Sequence, residues 1–211
     1  EVTYTHPAQG DDVYQDGETL TVGLAGATGA DGEAFENLTL GEPASTQIVD
    51  TIDTVTATLS SNVDEVAEGG EITYTVTLTD ADGIEVTAQE AITFTLANGE
   101  TITIGADESS GTVTITAPDD VFVGGQPTIE NSIRADEVDG DGNFERLITT
   151  GETSVSVTDE PGTPENPGGP NEGDAITVSI TADQPEYKEN EAPTFTVSIS
   201  EAVDRDVVVT L

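Results

Sequence analysis

The chain has 211 residues, of which 43 are Asp or Glu and four are Lys or Arg, for a formal net charge of −39. Phosphate neutralisation needs clusters of Lys and Arg, so nucleic acid is not expected as a partner, and with no Cys there is no disulfide or thiolate chemistry. No apolar run reaches spanning length and no basic-then-apolar leader is present, so membrane insertion is not expected and any targeting signal should lie outside this stretch.

In chain order, residues 1–50 read as the second, C-terminal half of a repeating unit. Asp11-Asp12-Val13-Tyr14 returns as Asp119-Asp120-Val121-Phe122, Phe35-Glu36-Asn37-Leu38 as Phe144-Glu145-Arg146-Leu147, and Gly41-Glu42 as Gly151-Glu152. Residues 51–159 read as one complete unit, and residues 175–211 as the first, N-terminal half of a further one. Val55, Ala57 and Leu59 recur there as Ile176, Val178 and Ile180, while Glu68, Tyr74, Val76 and Leu78 recur as Glu189, Phe195, Val197 and Ile199. A period of this length suits stacked β-sandwich domains rather than short-repeat solenoids.

Within the complete unit, Ile72, Tyr74, Val76 and Leu78 alternate with Thr73, Thr75, Thr77 and Thr79, which predicts a strand with one apolar and one hydroxyl face. The same period of two marks Ile92-Phe94-Leu96, Ile102-Ile104, Val113-Ile115 and Val155-Val157. Turns are predicted at Ala81-Asp82-Gly83, Asn98-Gly99 and Gly124-Gly125. About seven short strands in this arrangement predict an all-β fold, Ig-like antiparallel β-sandwich repeats in tandem. Tyr4, Tyr14, Tyr74 and Phe94 fall in strand patterns and are read as core or half-buried packing.

Asp139-Gly140-Asp141-Gly142-Asn143 imitates the opening of an EF-hand loop, but Phe144 and Thr150 stand where Gly and Glu are needed, so a hairpin turn is expected. The two junctions differ. Only Thr51, Ile52, Asp53 and Thr54 separate Asp50 from Val55, too few for independent tumbling, whereas residues 160–174 form a Pro/Gly-rich linker expected to be extended and looser.

For chemistry, hard-cation binding is the reading the residues support. Ca²⁺ takes six to eight oxygens, which loops at a sandwich pole can supply, and carboxylates this dense repel one another unless hydrated or neutralised. The candidates are Asp50 and Asp53 at the short junction, Glu68 in the Glu-Gly-Gly loop, Asp80 and Asp82 in a turn, Asp119 and Asp120 opening a later segment, and Asp159. Asp11, Asp12 and Glu189 stand at positions matching Asp119, Asp120 and Glu68. No enzymatic activity is expected: His6 is the one His, and paired acids are uninformative in so acidic a chain. Asp204-Arg205-Asp206 is given no role.

Asp11-Asp12-Val13-Tyr14-Gln15-Asp16-Gly17-Glu18-Thr19-Leu20, Ala27-Thr28-Gly29, Phe35-Glu36-Asn37-Leu38, Asp50-Thr51-Ile52-Asp53 and Glu68-Gly69-Gly70 together resemble the tandem extender repeats of large bacterial biofilm adhesins, the LapA-like RTX adhesins. The resemblance implies calcium-rigidified Ig-like domains, type I export to the bacterial cell surface, and a long stalk that holds ligand-binding tips away from the cell. Carried onto this sequence, it implies ion sites at Asp50, Asp53, Glu68, Asp119, Asp120 and Asp159. Lys188-Glu189-Asn190-Glu191 and the long Pro-rich spacer depart from the pattern, and the Gly-Gly-x-Gly-x-Asp nonapeptide is absent. The expected partners are calcium ions and neighbouring repeats. Two alternatives stand beside this: a module that itself binds a glycan or surface protein, and a head-to-tail filament whose complementary half-units complete one another.

Overall fold

The computed structural model describes residues 3–7, 9–122, 124–159, 176–203 and 205–210. The linker expected over 160–174 lies outside the described residues. Among them are thirteen strands and no helix: β1 (Glu18–Val22), β2 (Ala44–Ile48), β3 (Thr54–Ser61), β4 (Glu65–Ala67), β5 (Glu71–Thr79), β6 (Ile92–Leu96), β7 (Thr101–Ile104), β8 (Ser110–Thr116), β9 (Ile129–Asp139), β10 (Arg146–Thr150), β11 (Glu152–Thr158), β12 (Val178–Ala182) and β13 (Phe195–Ile199).

The complete unit forms a four-stranded sheet in the order β10-β3-β5-β8 and a five-stranded sheet in the order β4-β11-β9-β6-β7. The alternation read in β5 is the one observed, with Ile72, Tyr74, Val76 and Leu78 buried and the intervening Thr residues only partly covered. β6 repeats this with Ile92, Phe94 and Leu96. Each sheet thus turns one apolar face inward, the condition for a sandwich core, and each such side chain contributes about 1.5–3 kcal/mol through burial.

The described residues group into two compact units. One comprises residues 1–59, 75–112 and 132–151, with Val55, Val76, Leu78, Phe94, Ile102 and Phe144 among its buried side chains. The other comprises residues 60–74, 113–131 and 152–211, with Ile72, Tyr74, Ala117, Val155 and Val157 buried. In the second unit, burial raises the Tyr74 hydroxyl pKa, and hydrogen bonding by Asn131 and Thr153 opposes the shift less strongly.

Two pairings depart from the antiparallel pattern expected. β10 runs parallel to β3, with Arg146 opposite Thr54 and Thr150 opposite Thr58, and β11 runs parallel to β4, with Ser156 opposite Glu65. Gly151 stands at the break between the two strands that make these pairings, β10 and β11. Its φ is +94°, and a Cβ there would strike the Leu59 carbonyl oxygen and lie 2.8 Å from the Leu59 amide nitrogen. Only glycine fits, so the last segment breaks into β10 and β11, which join different sheets. This break, with the three-residue β4, makes nine strands of the complete unit rather than about seven.

The partial copies each contribute one antiparallel pair, β1 with β2 and β12 with β13. Such pairs cover little apolar surface. Phe35 is 54% exposed where its counterpart Phe144 is 1% exposed, and Phe195 and Ile180 are likewise exposed. Tyr4 corrects the sequence reading: it is 70% exposed and meets His6 edge to face instead of entering a core.

Residues 139–143 form a turn, but not the hairpin expected: β9 and β10 on either side of it belong to different sheets. Gly140, Gly142 and Asn143 all have positive φ, and the Asp141 carboxylate accepts the Asn143 amide at 2.9 Å.

Candidate metal centre

At the short junction, a cavity of about 200 Å³ is lined by Asp11, Asp12, Asp16, Asp50, Thr51 and Glu145, together with Gln9, Gly10, Ile48 and Val49. Its walls carry five carboxylates and no Lys or Arg. Several of those carboxylates fix the backbone. Asp12 Oδ1 accepts the Tyr14 amide at 2.8 Å, Asp50 Oδ2 accepts the Asp16 amide at 3.2 Å, and Glu145 Oε2 accepts the Asp53 amide at 2.5 Å. The Thr51 hydroxyl donates to Asp11. A carboxylate has about four lone-pair sites, so one amide contact leaves acceptor capacity on each.

In the second unit, Glu68, Asp119, Asp120 and Asp159 belong to the segments around the Glu-Gly-Gly loop. Glu68 is 5% exposed and its amide donates to the Thr158 carbonyl at 2.8 Å. Gly69 has φ +68°, and a Cβ there would sit 3.7 Å from Asp119 Oδ2. Asp120 Oδ1 accepts the Phe122 amide at 2.7 Å, while Oδ2 accepts Gln126 Nε2 at 2.6 Å and ion-pairs with Arg205 at 2.5 Å. The Phe122 amide, then Gln126, with a smaller pull from Arg205, hold the Asp120 carboxyl below its ordinary pKa range against a burial effect of opposite sign. Asp159 Oδ2 accepts the Gly124 amide at 2.8 Å.

The remaining candidates lie elsewhere. Asp80 Oδ1 closes its own turn by accepting the Asp82 and Ile84 amides at 3.0 and 2.8 Å, and Asp82 is exposed. Glu189 is exposed, in a turn where the Glu191 amide donates to the Lys188 carbonyl. Its sequence match to Glu68 does not extend to burial. Among the described residues, no three His, Asp or Glu side chains converge closely enough to hold a metal ion.

The donor chemistry suits a hard cation best at the short junction, where oxygen donors face a cavity without a basic side chain. In the second unit, a cation at Asp120 has to displace Arg205. The sequence reading missed Asp16 and Glu145, both of which line the cavity. Glu145 sits inside the recurring Phe-Glu pair, a signal used there only to set the register, and Asp16 lies just past the Asp-Asp-Val-Tyr motif.

None of the curated proteins compared matches the chain. Among solved structures, it is similar to the S-layer protein SbsC domains 4 and 5, with 16% identity over 56% of this chain and 59% of that one, and a TM-score of 0.27. It is also similar to surface layer protein SbsC domains 4–9, with 17% identity over 78% of this chain and 23% of that one, and a TM-score of 0.26. The chain therefore spans less than two thirds of either. The LapA domain model matches residues 1–51 and again residues 53–160. Domains of that family have a structural, cell-surface role in adhesins. With both stretches matched, most of this chain is accounted for, and it belongs to the LapA domain family.

Proposed function

We propose that this chain is a structural extender segment of a repetitive adhesin at the bacterial cell surface. It forms a calcium-rigidified rod that projects ligand-binding domains for adhesion and biofilm formation, and it has no catalytic role. The observation that carries this reading is the LapA domain match to two successive stretches separated by a single residue.

Charge supports the calcium component. Asp11, Asp12, Asp16, Asp50 and Glu145 line one cavity in a chain of net charge −39. Their mutual repulsion favours an open junction unless a cation offsets it. To hold the ion, Asp11, Asp12, Asp50 and Asp53, with Asp16 and Glu145, would have to draw closer than they stand here, and a bound Ca²⁺ would neutralise these carboxylates and bridge them. The chain's own part is to keep the backbone in place through the Asp12, Asp50 and Glu145 contacts to amides.

Extracellular modules bind Ca²⁺ with Kd of roughly 10⁻⁴ to 10⁻³ M, low enough in affinity to stay empty in cytoplasm and fill outside. Isothermal calorimetry on the whole chain tests this. Saturable calcium binding in that range, weakened by Asp50→Asn, is expected; no heat at millimolar calcium would remove calcium from the account.

A further inference from the structure

The first and second repeats build the same local device. Tyr14 donates its amide to Asp12 at 2.8 Å, and Phe122, the matching aromatic, donates its own to Asp120 at 2.7 Å. Two residues on, the amides of Asp16 and Gly124 reach Asp50 and Asp159, again matching positions. One residue further, Gly17 and Gly125 press on Ile48 and Val157, where a Cβ would lie 3.1 Å from the Ile48 carbonyl oxygen and strike that of Val157. In both repeats an Asp-Asp-Val-aromatic turn is clamped against the end of its own last strand. The aromatic side chain is left to point away from its own repeat.

What that ring meets is the following repeat. Tyr14 stacks on Phe144 with ring centroids 5.5 Å apart and planes 21° from parallel, and its hydroxyl donates to the Thr87 carbonyl at 2.8 Å. The backbone locks alongside: Gln15 donates to the Asn143 carbonyl at 2.9 Å and Glu145 to the Val13 carbonyl at 3.0 Å. The receiving turn is shaped for the ring. Gly142 has φ +69°, and a Cβ there would come within 2.8 Å of the Phe144 ring and 2.6 Å of Ile92. In the second repeat, the Arg205 guanidinium lies 4.4 Å over the Phe122 ring while ion-pairing with Asp120. Arg205 falls in the part of the third copy that corresponds to the region just before Thr87.

We propose that the Asp-Asp-Val-aromatic turn is a docking hook, by which the ring of each repeat, Tyr14 and then Phe122, seats on the repeat that follows and holds it without a bound ion. The occupant is fixed by the contacts: a flat aromatic ring takes the face of Phe144 at one junction and the face of Arg205 at the other. The hook goes beyond calcium bridging: the turn behind it uses carboxylates, but the Tyr14–Phe144 stack, the Tyr14 hydroxyl on the Thr87 carbonyl and the Arg205 guanidinium over Phe122 reach the next repeat through the ring and not through a carboxylate oxygen. It predicts order at the junction in chelator.

The absence of Cys makes site-specific spin labelling of the whole chain direct. Labels at Thr46→Cys and Glu100→Cys report on the first hook, and labels at Ser154→Cys and Thr181→Cys on the second, by pulsed electron-resonance distance measurements in chelator. Narrow distributions are expected, at least twofold wider in Tyr14→Ala for the first pair and Phe122→Ala for the second, and still narrow in Tyr14→Phe, which keeps the ring. An unchanged width in either alanine variant, or a distribution already broad before substitution, overturns the hook. Circular dichroism showing an unchanged β signal confirms that the alanine variants are folded. Calcium added to Tyr14→Ala reads the ion separately: narrowing by calcium tests the brace whatever the hook result.

Discussion

Removing the seat of the hook is the most quantitative perturbation the fold offers. Phe144 is 1% exposed and stacked on Tyr14, so Phe144→Ala loses a fully buried aromatic and leaves a cavity, a cost of about 3–5 kcal/mol. Tyr14 is half-buried, and Tyr14→Ala gives up roughly half of a full burial term, about 1–1.5 kcal/mol. If the rings interact, the two losses are not independent, and the double variant should fall short of their sum by about 0.5–1.5 kcal/mol. Urea unfolding followed by far-ultraviolet circular dichroism measures all four corners of the cycle. With an m-value of about 2 kcal/mol per molar, the Phe144→Ala midpoint should fall by about 1.5–2.5 M. Losses that add to within about 0.3 kcal/mol would refute the stack, because contacting side chains couple and distant ones do not.

Other outcomes follow from the same contacts. Gly151→Ala should destabilise by at least about 1–2 kcal/mol, the cost of a left-handed backbone with a Cβ, plus the clash with Leu59; a thermal melt within a degree of the parent would refute the strand break described. Tyr74 has a raised folded pKa, so its contribution is fully present below the unfolded value near 10 and is lost as pH rises above it. Tyr74→Phe should therefore flatten the alkaline fall in stability, measured by urea unfolding between pH 8 and 11, and an equally steep fall in the variant would contradict the assignment.

Much of the fold was legible because it depends on local pattern. The Thr-apolar alternation of 71–79 and 92–96 fixes which face is buried whatever the neighbours are, and Asn98-Gly99 and Asp139-Asn143 carry their turn chemistry in their own side chains. What escaped depends on partners far along the chain. The break between β10 and β11 places Gly151 against Leu59, a contact that no window around either residue reveals, and the parallel pairing of β10 with β3 likewise joins segments about 90 residues apart. Tyr4 had a strand-like context, but the β1–β2 pair does not cover it.

The candidate site was legible in composition and only partly in grouping. Asp11, Asp12 and Asp50 do line one cavity, and Asp53 joins that junction through its amide contact to Glu145. The Asp80 carboxylate accepts two amides of its own turn, Asp82 is exposed beside it, and Glu189 is exposed where Glu68 is buried. Internal recurrence marks positions that share a backbone conformation, as the Asp12 and Asp120 turns do. It does not mark which carboxylates meet across 34 residues or more, as Asp16 and Asp50 do. Glu145 shows the converse: a side chain read as part of a register match turns out to hold the Asp53 amide.

Small-angle X-ray scattering of the whole chain, with calcium and with chelator, tests the calcium-rigidified rod most directly. A larger maximum dimension is expected in calcium, and a smaller but still well-defined one in chelator, where carboxylate repulsion changes the junction angle while the aromatic hooks keep it ordered. Identical profiles in the two conditions would contradict it.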